Sequence, residues 1–406
     1  MNATGYLEGT VKHYEWGGYD FIPSLLEISN IEKKPFAEYW LGVHPQAGCM
    51  VVQPDGSKRL LQECISTMPA ATLGEYVSKR FGDLPYLLKA LDVKDMLSIQ
   101  VHPSKEAAEI EFANENAKGI PMDSPLRNYK DANHKPELMV AMGDFWLLHG
   151  FKPADDLKRT LQSVPEFNQL VQVFEQAGYK GLYTTLMQMP QDDVNELLQP
   201  LLKRIGPVFN SGKLERSQAD YWAAKAALAF SKEHEIDRGI FSIYLFNLLQ
   251  LRRGEAIFQD AGVPHAYLEG RNVEIMASSD NVLRGGLTTK RVDVAELLKH
   301  VKCEATNPDI IKGEKKGPEL VYTTPAPDFE LSSFLLEPGE QISAKPNTAE
   351  IFLLVAGEVL LTGDTFQLDL KKGYPAAIAW PGKDLHIEAK QQSWLFRATV
   401  PFTHVD

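Results

Sequence analysis

From the N-terminus to about Phe151 the chain reads as short apolar runs broken by Gly, Pro and Asp. Cys49-Met50-Val51-Val52 and Met96-Leu97-Ser98-Ile99-Gln100-Val101 are two such runs, and both predict strands. A helix is expected around Ala71 to Arg80, with Thr72 as cap and Glu75 answering it in a capping box. Between Ala154 and Leu251 the period lengthens. Leu157, Leu161, Phe167, Leu170, Val171 and Phe174 recur at helical spacing, as do Val194, Leu197, Leu198, Leu201, Leu202 and Ile205, and helical text continues over Gly239 to Leu251. Strand text returns after Gly254, with a short helix over Val294 to His300. Ile311 to Pro318 reads as a Gly/Lys-rich linker. Beyond it, alternating strands separated by turns predict a small β-sandwich or jelly roll. The expectation is a mainly β protein with an α insert. One unit spans 1–153 and 252–312, a helical insert spans 154–251, and a C-terminal unit spans 313–406.

Composition narrows the class. A chain of 406 residues exceeds what one hydrophobic core usually serves, so several units are expected. With 44% hydrophobic and 24% charged residues it reads as globular and soluble. No apolar run is long enough for a membrane span, and the first residues lack the basic and apolar regions of a signal peptide, so cytoplasm is the expected location. The net charge of −12 argues against a general nucleic-acid binder and requires any anionic ligand to meet a local positive cluster. Cys49, Cys64 and Cys303 lie far apart and fit neither a thiolate zinc site nor a disulfide framework.

Four segments carry candidate chemistry. On a strand, Gln100 and His102 share a face, because side chains alternate; alone, such a pair is as consistent with a hydrogen-bonded couple. Glu137 opens the apolar run Leu138-Met139-Val140-Ala141, where a carboxylate needs a partner: a cation, or more blandly a nearby lysine. His265 follows Gly262-Val263-Pro264 on a turn into a strand. Two imidazoles, a carboxylate and an amide oxygen would hold a divalent metal and leave room for substrate. Glutamine is an uncommon zinc ligand, yet zinc is the first choice. The fourth segment, Asn272 to Arg291, interleaves charged groups and amides with glycines, the composition of a site-lining loop. Its bland alternative is a solvated loop. His13, His44, His134, His149 and His386 are read as structural, and Trp16 and Trp40 as pocket or core aromatics in equal measure.

The segments Gln100-Val101-His102-Pro103, Asp131 to Glu137, Pro264 to Gly270 and Val273 to Thr288 strongly resemble the type I mannose-6-phosphate isomerases. Tyr14 to Gly17, Ala37 to Pro45 and Leu84 to Lys89 add supporting matches in family order. The resemblance covers essentially the whole chain and is thinnest from Ala154 to Leu251. It implies a cupin-like jelly-roll catalytic domain, a helical domain and a C-terminal jelly roll, acting as a monomer with one zinc per chain. By this resemblance Gln100, His102, Glu137 and His265 are the zinc ligands. Arg284 takes the place of the essential arginine, with Glu274, Asp280, Lys135 and Lys290 around it. Thr289 stands where many relatives have proline, and Phe145 to Phe151 departs in detail from the usual run.

The implied substrate is a phosphorylated hexose, with no nucleic-acid or membrane partner. Aldose–ketose isomerisation moves a proton between C1 and C2 through a cis-enediol, and a metal with a fixed guanidinium suits the charge that develops. Glu274, Asp280 and Lys290 are candidates for the proton shuttle, and residue type does not choose among them. Ser98 and Lys89 are favoured for the phosphate, with Trp16 lining the pocket. Rival readings are another metal-dependent cupin enzyme, such as an iron dioxygenase, and a non-catalytic sugar-binding cupin. An isomerase fused to a nucleotidyltransferase would need a Gly-rich nucleotide-binding domain, which the sequence lacks. Mannose breakdown and GDP-mannose biosynthesis would use the same equilibrium.

Overall fold

The computed structural model describes residues 4–53 and 56–402; the outermost residues of the first and third expected units lie outside these. Strands dominate, and helices concentrate between Ala154 and Leu245. The mainly β arrangement with a helical insert is therefore what the chain adopts.

The sheet that matters for function is organised by one long strand, His265–Ala277. Its first half pairs with Phe145–Phe151 and its second half with Tyr86–Val93 and Glu137–Ala141. The bend between the halves falls at Gly270, whose φ of +138° and a would-be Cβ only 2.8 Å from the Asp144 carbonyl oxygen exclude a side chain. Tyr86–Val93 lies between His265–Ala277 and Glu38–His44 and is buried at every position, including Lys89. A buried lysine on a central strand demands acidic neighbours, and the register supplies them: Glu274 directly opposite on one side, and Glu38 on the strand at the other.

Three local expectations are corrected. The capping box does not form, because the helix Pro69–Phe81 starts on Pro69 and Thr72 Oγ1 donates back to the Met68 carbonyl at 2.9 Å. Gly74 then breaks the helical path at φ 78°, ψ 158°. Of the run Met96 to Val101, only Gln100–Val101 is a strand; Leu97 and Ile99 give their N–H groups to the Tyr267 and Gly286 carbonyls outside any ladder. The helix Gly239–Leu245 stops six residues early, and Phe246–Leu251 joins Phe145–Phe151 as a strand. A short apolar run of that length fits either state, and the open sheet edge decides.

The C-terminal part forms two packed sheets around Phe334, Leu336, Phe352, Leu354, Leu361 and Leu395. Its larger sheet includes Gly5–Glu8, which the sequence grouped with the first unit; this strand pairs with Ala376–Ala379 and with Met50–Val52. The expected linker is part of a hairpin, Glu314–Lys316 against Glu319–Tyr322. In this sheet Glu350 is buried. Thr399 Oγ1 donates to it at 3.2 Å, while Arg397 sits closer to Glu319 (3.0 Å) than to Glu350 (3.8 Å). Burial pushes the Glu350 carboxyl up to about 7, against the pull of Arg397. A carboxyl raised in the folded state stabilises fully below its unfolded value, and that contribution is lost as pH rises through the folded value. The expected loss between pH 4.5 and 7 is roughly 3 kcal/mol at most. Thermal midpoints from pH 5 to 8 check it: the difference between parent and Glu350→Gln should drift across this window, and a constant difference would refute the assignment.

Candidate active site

Strand ends and two loops converge where the sequence motifs meet. His102 follows Gln100–Val101, Glu137 begins Glu137–Ala141, and His265 begins His265–Ala277. Their ligand atoms all lie within 4.8 Å of one another. Glu137 Oε1 is 3.4 Å from His102 Nε2, and Glu137 Oε2 is 3.4 Å from His265 Nε2. Both rings are fixed from behind: His102 Nδ1 donates to the Asn281 carbonyl at 2.8 Å and His265 Nδ1 to the Val263 carbonyl at 3.0 Å. That tautomer leaves both Nε2 lone pairs pointing inward, and both atoms are buried without a hydrogen-bond partner among the described residues. A carbonyl behind each imidazole and a bare lone pair in front is the arrangement metal-ligating histidines adopt. Burial pushes His102 down to about 4 against the pull of Glu137, so its ring is neutral. Burial also works against the charge of Glu137, yet Lys135, 3.1 Å away, holds it well below the usual carboxylate range. Gln100 sits opposite His265 on one neighbouring strand and opposite Arg284 on the other.

Beside this triad lies a buried chain of charges. Lys89 Nζ is 3.0 Å from Glu274 and 3.7 Å from Glu38; Tyr267 donates to the other Glu274 oxygen at 2.8 Å, and Trp40 Nε1 donates to Glu38. Burial raises Glu274, opposed by Lys89, whereas Glu274 and Glu38 outweigh burial and push Lys89 above its ordinary value. Lys89 is thus committed to carboxylates. Asp280 stands at the edge, its side chain 35% exposed, with His44 Nε2 at 3.2 Å. Burial raises its carboxyl and His44 lowers it further, for a net shift downward. Asp131 ties the two loops together by accepting from Ser279 Oγ and from the backbone N–H groups of Asn133 and Asp280. Tyr14 and Trp16 stack at the rim, centroids 5.7 Å apart.

Arg284 and Lys290 contrast with Lys89: neither side chain has an acidic partner among the described residues. Burial alone depresses Arg284, and burial followed by Arg284 depresses Lys290. Their loop is held against the insert because Gly286, at φ +120°, touches the backbone of Gly239. Asp237 accepts the Leu287 and Thr288 N–H groups. A cavity of about 410 Å³ opens there, with Lys290, Arg291, Lys232 and Arg238 in its wall. Ser98 is half-buried on the segment leading to Gln100.

The type I phosphomannose isomerase catalytic domain is the family model that matches, over residues 6–154. The mannose-6-phosphate isomerase of Escherichia coli (strain K12) is 37% identical over 379 residues, covering 92% of this chain and 94% of its own. The chain belongs to the type I phosphomannose isomerases. The mouse relative, from Mus musculus, is 35% identical and is covered to 87%, as is this chain. Among solved structures, the phosphomannose isomerase family is represented by the Salmonella typhimurium enzyme bound to substrate (f6p) and zinc. It matches with a TM-score of 0.85 at 34% identity, over 98% of this chain and 100% of that one. The cupin-like architecture of the family is the architecture described above.

Several groups in this phosphomannose isomerase site carried no sequence signal of their own. Glu38 and Tyr267 lie inside motifs but show their role only through strand register. Asn281 acts through its backbone carbonyl, which residue type cannot announce. His44, read as structural, touches Asp280.

Proposed function

We propose that this chain interconverts D-mannose 6-phosphate and D-fructose 6-phosphate with one zinc ion, as an intramolecular aldose–ketose oxidoreductase. The observation that carries the reading is the pair of inward imidazole Nε2 atoms facing Glu137, a donor set that fits zinc. His102, Glu137 and His265 would hold the ion, with Gln100 as fourth ligand, and the bound ion would supply a Lewis acid for the sugar oxygens.

The remaining steps fall to protein groups. Asp280, partly exposed and backed by His44, is the carboxylate suited to moving the proton between C1 and C2, a task worth about 10²–10⁴-fold. Lys135 bridges its loop to the metal ligand Glu137. Glu274 and Lys89 form a buried, neutralised pair that keeps the floor rigid and dry. Arg284 and Lys290, both lacking acidic partners, are the cations left for the phosphate, in preference to Lys89; Ser98 is a further donor candidate and Trp16 a wall. This meets the need for a local positive cluster in an acidic protein.

The three-unit division of the chain, a cytoplasmic location, a monomeric state and a role in GDP-mannose supply belong to the same proposal. No helix among the described residues is long and apolar enough to cross a membrane. The test is fructose 6-phosphate formation from mannose 6-phosphate before chelation, after it, and with zinc restored. Turnover should vanish and return. Zinc-replete protein without turnover would favour a non-catalytic sugar-binding cupin.

A further inference from the structure

The strands that present the zinc-facing side chains bring two more polar groups to the same face. Gln259 lies directly opposite Glu137, and His149 directly opposite His265. Opposed residues of antiparallel strands project to the same side, so both side chains stand next to the metal-facing pair. Gln259 is 0% and His149 5% exposed. Both polar atoms of the Gln259 amide and His149 Nδ1 are nonetheless without a hydrogen-bond partner among the described residues. His149 Nε2 donates to the Phe258 carbonyl at 3.3 Å, one residue before Gln259, which leaves its Nδ1 a bare, buried acceptor.

Buried polar groups are almost always satisfied, by protein or by ordered water. An orphaned imidazole acceptor and an orphaned amide flanking the same buried pair suit an internal water, which would accept from the Gln259 N–H and donate to His149 Nδ1. Its second proton is then available to the Glu137 carboxylate. We propose that Gln259 and His149 are positioning residues of the metal centre, holding the Glu137–His265 pair from behind through a buried water. The inference rests on the zinc-binding reading, and it explains why two polar side chains occupy a fully buried strand face where aliphatic ones would pack at no cost.

The experiment is zinc affinity of the purified full chain, by competition with a chromophoric chelator, alongside the melting temperature of the metal-free form. Gln259→Leu should weaken zinc by about 10–100-fold, the usual effect of losing an outer partner of a metal ligand. The metal-free protein should melt at nearly the same temperature, because a water-mediated hydrogen bond has been exchanged for apolar packing of similar volume. A polar residue serving only the core would leave zinc affinity unchanged whatever its effect on melting. His149→Leu tests the same water from the other side and decides the matter alone if Gln259→Leu does not fold. The double variant should lose no more than the worse single one, since both act through one water. Unchanged zinc affinity in the single variants, or additive losses in the double, would overturn the proposal. A parent that binds no zinc would sink the metal reading and this inference with it; a zinc-binding parent with unaffected variants sinks this inference alone.

Discussion

Glu137→Ala is expected to yield protein that no longer retains zinc, turns over at least about a thousandfold more slowly, equivalent to about 4 kcal/mol of barrier, and unfolds more readily. The three effects share one cause. The Glu137 carboxylate is ionised despite burial because Lys135 stands against it at 3.1 Å. Without it Lys135, itself buried, keeps a charge with no compensation, a loss worth about 3–5 kcal/mol in comparable buried pairs. His102 and His265 would keep their tautomers, since Asn281 and Val263 still hold Nδ1, but two neutral imidazoles bind a divalent ion far less tightly than a set that includes a carboxylate. Metal content by atomic emission, with a thermal melt of the same sample, is the check. Stoichiometric zinc in the variant would remove Glu137 from the ligand set.

Arg284→Ala should behave in the opposite way on stability. Burial depresses the guanidinium, and no carboxylate among the described residues offsets it, so the folded protein carries a cation whose desolvation is uncompensated. Its removal should leave the melting temperature unchanged or raise it, while kcat/KM falls by about 10²–10³-fold, as when a donor to developing charge is lost. Zinc content should be unaffected. Arg284→Lys should recover only part of the loss, because an ammonium cannot reproduce the planar fork of a guanidinium. A destabilised variant with near-parental turnover would make Arg284 a structural residue. The contrast with Lys89 is instructive: that lysine is ion-paired on both sides, and replacing it should cost stability before chemistry.

This contrast arises from strand register, which local sequence does not encode. The segments holding His102, Glu137 and His265 were legible because each puts a metal-binding side chain beside a turn or at the head of an apolar run, and the structure brings the three together. Charge and a place in a motif segment point Lys89 toward the phosphate. Its partners depend on which strands flank Tyr86–Val93 and in what register, and neither is encoded in local periodicity. The same limit explains Gln259, which sits in an ordinary strand run and becomes notable only opposite Glu137. The helical insert was readable down to its spacing, yet its end was not, since Phe246-Asn247-Leu248-Leu249-Gln250-Leu251 pairs with a sheet edge far away in sequence. Thr72 and Glu75 carried the letters of a cap, but Pro69 had already begun the helix.

The placement of Gly5–Glu8 has a consequence for the order in which the protein is made. Gly5 faces Ile378 on one side and Tyr6 faces Val52 on the other, so a strand made before His102, Glu137 and His265 finds its second neighbour only after all three have been synthesised. Until then one edge of that strand is open to any extended segment nearby, and translation itself sets the waiting time. A nascent chain stalled before Ala376 should therefore expose the strand Gly5–Glu8 to proteolysis even when His102, Glu137 and His265 have all been synthesised. A late-made strand, Ala376–Ala379, serves as the clasp that shuts an early one.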